Sequence, residues 1–158
     1  MKKYFDGLAI LMMSAWVGGM WAVGYIAAPV LFLSLPDKAL AGMLAGKLFA
    51  VTAFMGMACA VYLLGLSYAR VGKAVWSQRT FWIIALMLLL VLLGHFGIQP
   101  LLAELKALAL PQYVMDSAYA DRFRLWHGAA SIIYLLQSLL GAVLLIKGEF
   151  GKSHAGGF

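Results

Sequence analysis

This sequence of 158 residues has few side chains whose types and spacing could support chemistry. They are two histidines and the polar residues near them. His127, Ser131 and Tyr134 recur at intervals of four and three residues, which places them on one face of a helix. His95 and Gln99 lie four residues apart in a separate apolar stretch, so they also share a helical face. Imidazole nitrogens bind transition metals and haem iron, and they also relay protons. The two histidines are therefore the candidate ligands for a metal ion or a haem.

The polar residues around these histidines complete a candidate cofactor-binding set. Polar side chains inside apolar helices are costly, so each is a functional candidate or a hydrogen-bonding link between helices. Arg122 and Arg124 come just before His127, at the predicted outer mouth of the same helix. We predict that a metal would bind to His127 and His95, and that a cofactor would contact His127, His95, Ser131, Tyr134, Gln99 and Arg124.

Two histidines alone limit the kind of site that they can form. They supply only two ligands, and no carboxylate is predicted at their depth in the membrane. A haem held between them would need their helices further apart than the ~8–10 Å of a packed pair. The alternative is a structural role, in which each imidazole hydrogen-bonds across the helices. His127 and Ser131 are not expected to act as base and nucleophile, because no acid is placed to orient the histidine.

Two other groups of side chains have weaker claims. Met55 and Cys59 lie one turn apart, and soft sulfur ligands favour Cu(I). Methionine also fills irregular gaps in apolar cores, and packing is the role that we expect here. In the first apolar stretch, Ser14, Trp21 and Tyr25 follow one helical face. We expect this face to turn inward, where it either lines the same cavity as the histidines or packs.

Four long apolar runs must position all of these residues. Each run has the ~20 residues that a helix needs to cross the hydrocarbon core of a bilayer. The runs are Leu8–Leu33, Leu48–Ala69, Phe81–Pro100 and Leu125–Ile146.

Composition also places the chain in a membrane. Hydrophobic residues make up 65% of the sequence and charged residues 11%, against ~25% charged residues in soluble domains. The apolar runs show no period-two alternation, which excludes a barrel and leaves helices as the way to satisfy the backbone in lipid. We predict a single domain, an all-α polytopic membrane four-helix bundle. Its partners are the lipid bilayer and a homo-oligomer or membrane complex, and nucleic acid is not expected.

The basic residues predict how the helices are oriented. With four crossings, both termini lie on one side, and that side carries seven lysines and arginines against five on the other. The excess of basic residues marks the cytoplasmic side. We therefore predict a multi-pass protein of the bacterial inner membrane with both termini in the cytoplasm.

Local patterns predict the helix boundaries and the connections. Leucines recur at helical spacing around Glu104 and Lys106, which predicts a short amphipathic helix in the outer interface between helices 3 and 4. Gly42 and Gly46 form a small-residue pair of the kind that lets membrane helices pack closely. The tail 148–158 is predicted to be disordered. The helices are predicted at about 6–33, 36–69, 79–100 and 116–147.

Several motifs carry a resemblance to known families. The best matching motifs are Trp16-x-Gly18-Gly19, Ala28-Pro29-x-Leu31-Phe32, Ala41-Gly42 with Gly46 and Phe49, and Phe123 with His127-Gly128. With them, most of the chain resembles the bacterial members of the family related to eukaryotic transmembrane protein 205, a four-helix domain of unknown function. The first two motifs also look like helix 1 of the copper-resistance membrane domains and of a haem-containing protoporphyrinogen oxidase family. This second likeness implies haem or metal as the cofactor class.

Three functions are compatible with the sequence. The first is a non-enzymatic membrane protein that binds a transition metal or haem near the outer leaflet through His127 and His95. The second is a structural or accessory subunit of a membrane complex, whose polar faces only hold helices together. The third is a small oligomeric transporter, in which Arg122, Arg124, Tyr134 and Gln137 would suit an anionic substrate.

Overall fold

The architecture is a bundle of four long antiparallel helices. The structure is a computed structural model that describes the backbone of residues 2–147 and the side chains of residues 4–147. The predicted disorder of the tail concerns residues outside this described part. Within it there is no strand, and four helices are long and apolar enough to cross a membrane, which confirms the predicted fold class. These helices are α1 (Tyr4–Ser34), α2 (Lys38–Ser77), α3 (Arg79–Ala109) and α4 (Ala120–Lys147).

Short capping motifs set the boundaries of α2. The Asp37 carboxylate accepts hydrogen bonds from the backbone N–H groups of Ala39 and Leu40, so it caps the N-terminus of α2. At the other end Gly72 has a φ of 57°, a conformation that glycine adopts without steric cost. The regular α-helix stops there, and a 3₁₀ segment, Gly72–Ser77, leads to α3.

Two prolines lie inside membrane helices and are each preceded by a π-helical turn. Residues Ala22–Ala27 are π-helical before Pro29, and Leu93–Ile98 are π-helical before Pro100. In each case the residue just before the proline donates its N–H to a carbonyl five residues back. A proline has no N–H to donate, and a π turn is one way for the chain to absorb this loss without ending the helix. The helix therefore continues through both prolines.

The amphipathic segment after Pro100 is consequently part of α3. Gln99–Ala109 is α-helical and directly follows the π turn, instead of forming a separate helix in the interface. Its apolar face, Leu102, Leu105 and Ala109, is buried against Phe123 of α4. The sequence pattern predicted the helical face of this segment, but Pro100 does not separate it from α3.

We call the end of the bundle that carries residues 4 and 147 the terminal end, and the opposite end the distal end. The terminal half has a tight core in which Trp16 is only 1% exposed and Cys59 only 2% exposed. The Cys59 thiol lies 3.7 Å from the Met12 sulfur, inside apolar packing. Near the terminal end, Arg70 of α2 forms an ion pair with Asp6 of α1, which is nearly buried.

Glycines allow the helices of the terminal half to approach closely. A Cβ at Gly141 of α4 would lie 3.0 Å from the Val17 side chain, and a Cβ at Gly56 of α2 would overlap the Trp16 indole. These two contacts bring α2 and α4 against α1. The distal half lacks such close packing at its centre, and that difference positions the candidate site.

Candidate functional site

The distal half of the bundle contains a partly open cavity of about 650 Å³. All four helices and the α3–α4 connection contribute to its lining. Most of the lining is apolar, with Trp16 and Met20 at its terminal side and Phe49 on α2. A cavity of this size and character is typical of a site for a small, largely apolar molecule.

Glycines of two helices create part of the empty space. No atom lies within 4 Å of the position that a Cβ would take at Gly46 of α2 or at Gly94 of α3, and both residues line the cavity. At Gly42 the nearest atom is 3.6 Å away, on Phe32. The predicted packing of another helix is therefore present at Gly42, at ordinary contact distance, and absent at Gly46. The missing side chains of Gly46 and Gly94 leave open space at the cavity wall.

His95 brings a polar atom to this cavity from the π turn of α3. Its ring contacts Phe54 and Phe96, with centroid separations of 4.7 and 4.8 Å. The Nδ1 atom is buried and has no hydrogen-bond partner, and it is the only such side-chain nitrogen or oxygen among the described residues. A buried polar atom without a partner costs about 1–3 kcal/mol. His95, a residue of the cavity lining, thus has an unfilled hydrogen-bonding requirement.

His127, Phe123 and Lys106 form a layered group at the distal side of the cavity. The His127 ring stacks on the Phe123 ring with a centroid distance of 5.6 Å and an interplanar angle of 7°. The Lys106 ammonium lies 5.8 Å from the centroid of the Phe123 ring and donates a 3.3 Å hydrogen bond to the Gly42 carbonyl. All four residues line the cavity. A basic group and an imidazole are therefore held near each other at one end of an apolar space.

Two tyrosines close the cavity on its terminal side. The Tyr134 hydroxyl donates to the Met20 carbonyl, and the Tyr134 ring packs edge-on against Phe49 at 5.3 Å. Tyr25 donates a 2.9 Å hydrogen bond to the Ser138 hydroxyl. These bonds tie α1 to α4 just below the cavity.

The remaining polar side chains of the lining mostly bond to backbone carbonyls. Gln137 is buried and donates a 3.1 Å hydrogen bond to the Met87 carbonyl, which links α4 to α3. Thr52 and Ser131 each donate to the carbonyl four residues back, as hydroxyls in apolar helices commonly do. Their hydrogen-bonding needs are met inside the protein, unlike that of the His95 Nδ1.

The structure brings most of the predicted cofactor-binding residues to this one cavity. Five of the six predicted residues line it: His95, Gln99, His127, Ser131 and Tyr134. Arg124 does not, since its side chain is 61% exposed and pairs with Asp121 at 3.1 Å. His95 and His127 come to one cavity because α3 and α4 are antiparallel neighbours.

Sequence reasoning missed Lys106 as a site residue. It was assigned to an interfacial helix, because Pro100 was expected to end α3. The sequence does contain a signal for Lys106: it is a single lysine among leucines in a helical pattern that continues past Pro100. Tyr25 was only expected to line the cavity or pack, and it does line the cavity, whereas Trp21 of the same predicted face does not.

The electrostatics of the cavity are one-sided. Its lining contains Lys106 and two histidines but no aspartate or glutamate. Lys106 also forms no ion pair with any residue in the part of the chain that the structure describes. No group of three or more His, Cys, Asp or Glu residues within 2–147 could hold a metal ion. The arrangement suits recognition of an acidic group better than protein-only coordination of a bare metal ion.

Comparison with known proteins gives one match. The family model described as a domain of unknown function, DUF4149, matches residues 11–110, which include most of α1, all of α2 and all of α3. His95, Gln99 and Lys106 lie within the matched part, and His127 lies beyond it. No curated protein and no solved structure matches the chain significantly. Because the matched part is more than half of the sequence, this multi-pass membrane protein belongs to the DUF4149 family, a domain of unknown function.

Proposed function

We propose that this protein binds an amphipathic molecule in the distal cavity, with the apolar body of the ligand inside the bundle and an acidic head beside Lys106. The observation that carries the proposal is a roomy apolar cavity that is lined by Lys106 and by no carboxylate, and whose lining also includes His95, the residue with the unpartnered Nδ1. Packing alone does not account for it. A structural bundle would fill such a space, since protein interiors are close-packed.

The lining argues for the apolar body of the ligand. Trp16, Met20 and Phe49 border the cavity on its terminal side, and glycines at Gly46 and Gly94 leave space between the helices. An apolar chain or ring placed there gains about 25 cal/mol per Å² of surface removed from water. Transfer from lipid gives less, so shape and the polar contacts must supply selectivity.

Lys106 argues for an acidic head. Its ammonium is half-buried, it touches a carbonyl and an aromatic ring, and the cavity contains no carboxylate to neutralise it. A partly buried charge is stabilised when an opposite charge and hydrogen-bond acceptors surround it. His127 stacks on the same Phe123 ring, so it can contact the same head group. A carboxylate or phosphate fits this end of the cavity.

Haem is a specific member of this ligand class, and the two histidines favour it. Its macrocycle is largely apolar, its propionates are acidic and its iron accepts imidazole. His95 and His127 line one cavity, which supports a haem ligand from either residue. Because α3 and α4 pack on each other, ligation by both histidines at once would require a separation beyond the ~8–10 Å of packed helices. Ligation by one histidine has no such requirement. A bare transition metal would need ligands in addition to the two imidazoles.

The location of the site follows from the predicted orientation. With both termini in the cytoplasm of a bacterial cell, the distal half lies in the outer leaflet of the inner membrane. The proposed ligand is then a molecule of that leaflet or one delivered to it. The binding role needs one chain only, and assembly into a homo-oligomer or a larger membrane complex is compatible with it.

The test uses two probes that differ only in their head group. Purified protein in detergent is titrated with a fluorescent long-chain carboxylic acid and with the corresponding alcohol. We expect saturable binding of the acid, and at least about tenfold weaker binding in the Lys106→Met variant, the loss expected for a charge-assisted contact. Lys47→Met is the control, because Lys47 is exposed on α2 outside the cavity. Alcohol binding should change little in both variants.

Haem is tested on the same protein by visible absorption. A Soret band that sharpens and shifts from that of free haem in the presence of the protein, and that returns toward the free-haem spectrum in His127→Ala or His95→Ala, would identify haem as the ligand. If neither the acid nor haem binds saturably to the native protein, the proposal is wrong. Equal binding of acid and alcohol by the native protein would show that Lys106 does not recognise the acidic head group.

A further inference from the structure

The exposed residues of the cavity lining lie on only two helices. Among the lining residues, the exposed ones are Tyr25 and Pro29 of α1 and His127, Ser131 and Leu135 of α4. Those on α1 are four residues apart, and those on α4 recur every four residues. Residues at this spacing form a stripe along one face of a helix. Two stripes therefore face the surroundings, and the cavity opens between them.

This opening lies within the membrane-spanning part of the chain. Pro29 comes five residues before the end of α1 at Ser34, which is about 7.5 Å along a helix. His127 comes seven residues after the start of α4 at Ala120, about 10 Å by the same rise. Tyr25 and Leu135 are deeper still. The deeper part of the opening, at Tyr25 and Leu135, therefore lies within the apolar runs that cross the hydrocarbon core. His127, two residues after the start of the run Leu125–Ile146, lies near the head groups.

The helices α1 and α4 are joined below the opening and separate above it. Below it, Val17 packs on Gly141, and Tyr134 bonds to the Met20 carbonyl. The π turn at Ala22–Ala27 then follows, and the next segment of α1, Ala28–Ser34, packs mainly on α2. Kinks in helices occur at π turns and prolines, and α1 has both here. The gap is thus built into the backbone of α1 and does not depend on one side-chain rotamer.

We infer that this gap is a lateral opening through which a membrane-dissolved amphiphile with an acidic head passes from the surrounding leaflet into the cavity. The inference rests on the proposed binding function and names its ligand class, a lipid acid of the bilayer. Charge complementarity supports this occupant, since the opening leads to Lys106 and the cavity has no acidic residue. His127 lies both on the edge of the opening and on the ring beside Lys106, so it contacts a ligand along the whole path.

The experiment separates passage from binding. The protein is placed in phosphatidylcholine nanodiscs and loaded with the fluorescent long-chain carboxylic acid, and release is followed after adding excess unlabelled acid. Leu135→Trp puts bulk into the opening, so the release rate should fall at least about tenfold, while the dissociation constant changes less than about threefold. Leu139→Trp is the control, because Leu139 is exposed on the same helix but does not line the cavity. Its release rate should match that of the native protein.

The possible results are distinct. If the native protein does not bind the acid, the proposed function fails. If it binds, but Leu135→Trp and a second variant, Ser131→Phe, release the acid at the native rate, the lateral opening is wrong and the ligand uses another path. If the native protein is a dimer in nanodiscs and Leu135→Trp makes it monomeric, a second copy covers the gap, which also overturns the inference. A variant that fails to fold is replaced by the other.

Discussion

At the scale of single residues, the two histidines differ in a way that the sequence could not show. His127 stacks on Phe123 and is exposed at the edge of the cavity, whereas His95 has a buried Nδ1 without a partner. A histidine that only links helices would have its buried ring nitrogen bonded to a neighbouring chain segment. His95 is therefore the residue at which a structural role and a binding role give opposite predictions.

Replacing His95 with phenylalanine should not destabilise the unliganded protein. Phenylalanine keeps the ring contacts with Phe54 and Phe96 and removes the unpaired polar atom, which costs about 1–3 kcal/mol. We expect the midpoint of thermal unfolding in detergent to stay the same or rise. The stabilisation that added ligand gives to the native protein should become smaller.

Gln137→Leu provides the contrasting case for this measurement. Gln137 has a partner, the Met87 carbonyl, and leucine would remove this buried hydrogen bond between α4 and α3. We expect a loss of about 1 kcal/mol, seen as a lower unfolding midpoint. A His95→Phe variant that is destabilised as much as Gln137→Leu would show that the native imidazole is a structural link.

At the scale of helices, the glycines of α2 have two opposite roles on one element. Gly56 is where the Trp16 indole packs directly on the backbone, and Gly46 is where nothing packs at all. A small-residue pattern in the sequence predicts that helices can approach, but it does not say whether a helix, a side chain or empty space occupies the position. The side chains that α1 presents to α2 decide the role of each glycine: Trp16 packs on Gly56, Phe32 lies 3.6 Å from the Cβ position of Gly42, and no side chain reaches Gly46.

Gly56→Ala should destabilise the bundle. The added Cβ would overlap the Trp16 indole, which is almost completely buried and cannot move freely. Overpacking of a tight core costs about 1–3 kcal/mol. The unfolding midpoint should fall clearly, whereas Gly65→Ala, at an exposed position of the same helix with nothing within 4 Å, should have little effect or stabilise slightly. Equal midpoints for the two variants would contradict the close contact.

Gly46→Leu should leave the fold intact and remove ligand binding. The new side chain would project into the cavity without meeting another atom near its Cβ, so the helices need not move. We expect an unfolding midpoint close to that of Gly65→Leu, the matched control outside the cavity. Binding of the fluorescent acid should weaken at least about tenfold in Gly46→Leu only. Unchanged binding would show that the ligand occupies another part of the protein.

The helix scale also explains what the sequence could and could not predict about the site. Hydrophobic run length predicted four helices, and four are found. Counting residues from Pro100 and Leu125 predicted His95 and His127 at one depth; both line the same cavity, although α3 continues past Pro100 to Ala109. Lys106 was missed because a proline usually ends a helix, and the π turn that carries α3 through Pro100 has no signature in local propensity. Arg124 was included because it lies close to His127 in sequence, but it points to the outside and pairs with Asp121.

At the scale of the whole molecule, the bundle combines a tightly packed terminal half with an open distal half. The buried core and the ion pair of Asp6 with Arg70 stabilise the terminal half. The distal half is held by the cluster around Leu102, Leu105 and Phe123, which leaves the cavity between that cluster and α1. A stable terminal half permits an incompletely packed site, since the cavity lowers the packing energy of the distal half only.

The orientation of this asymmetric bundle decides which leaflet the cavity faces, and it can be measured with single cysteines. Ser77 is exposed in the connection between α2 and α3 at the terminal end, and Gln112 is exposed in the α3–α4 connection at the distal end. Cys59 is buried in the core, so a Cys59→Ala background removes the one native thiol without exposing another. In right-side-out membranes, a water-soluble maleimide should label Gln112→Cys at once and Ser77→Cys only after the membrane is permeabilised.

This result is expected because the predicted topology assigns seven basic residues to the terminal side and five to the distal side, and lysine and arginine are retained in the cytoplasm. Labelling in the reverse order would place the cavity in the cytoplasmic leaflet and change the source of its ligand, while leaving the lateral opening as it is. Labelling of both cysteines from the same side would contradict the antiparallel four-helix arrangement, and with it the cavity.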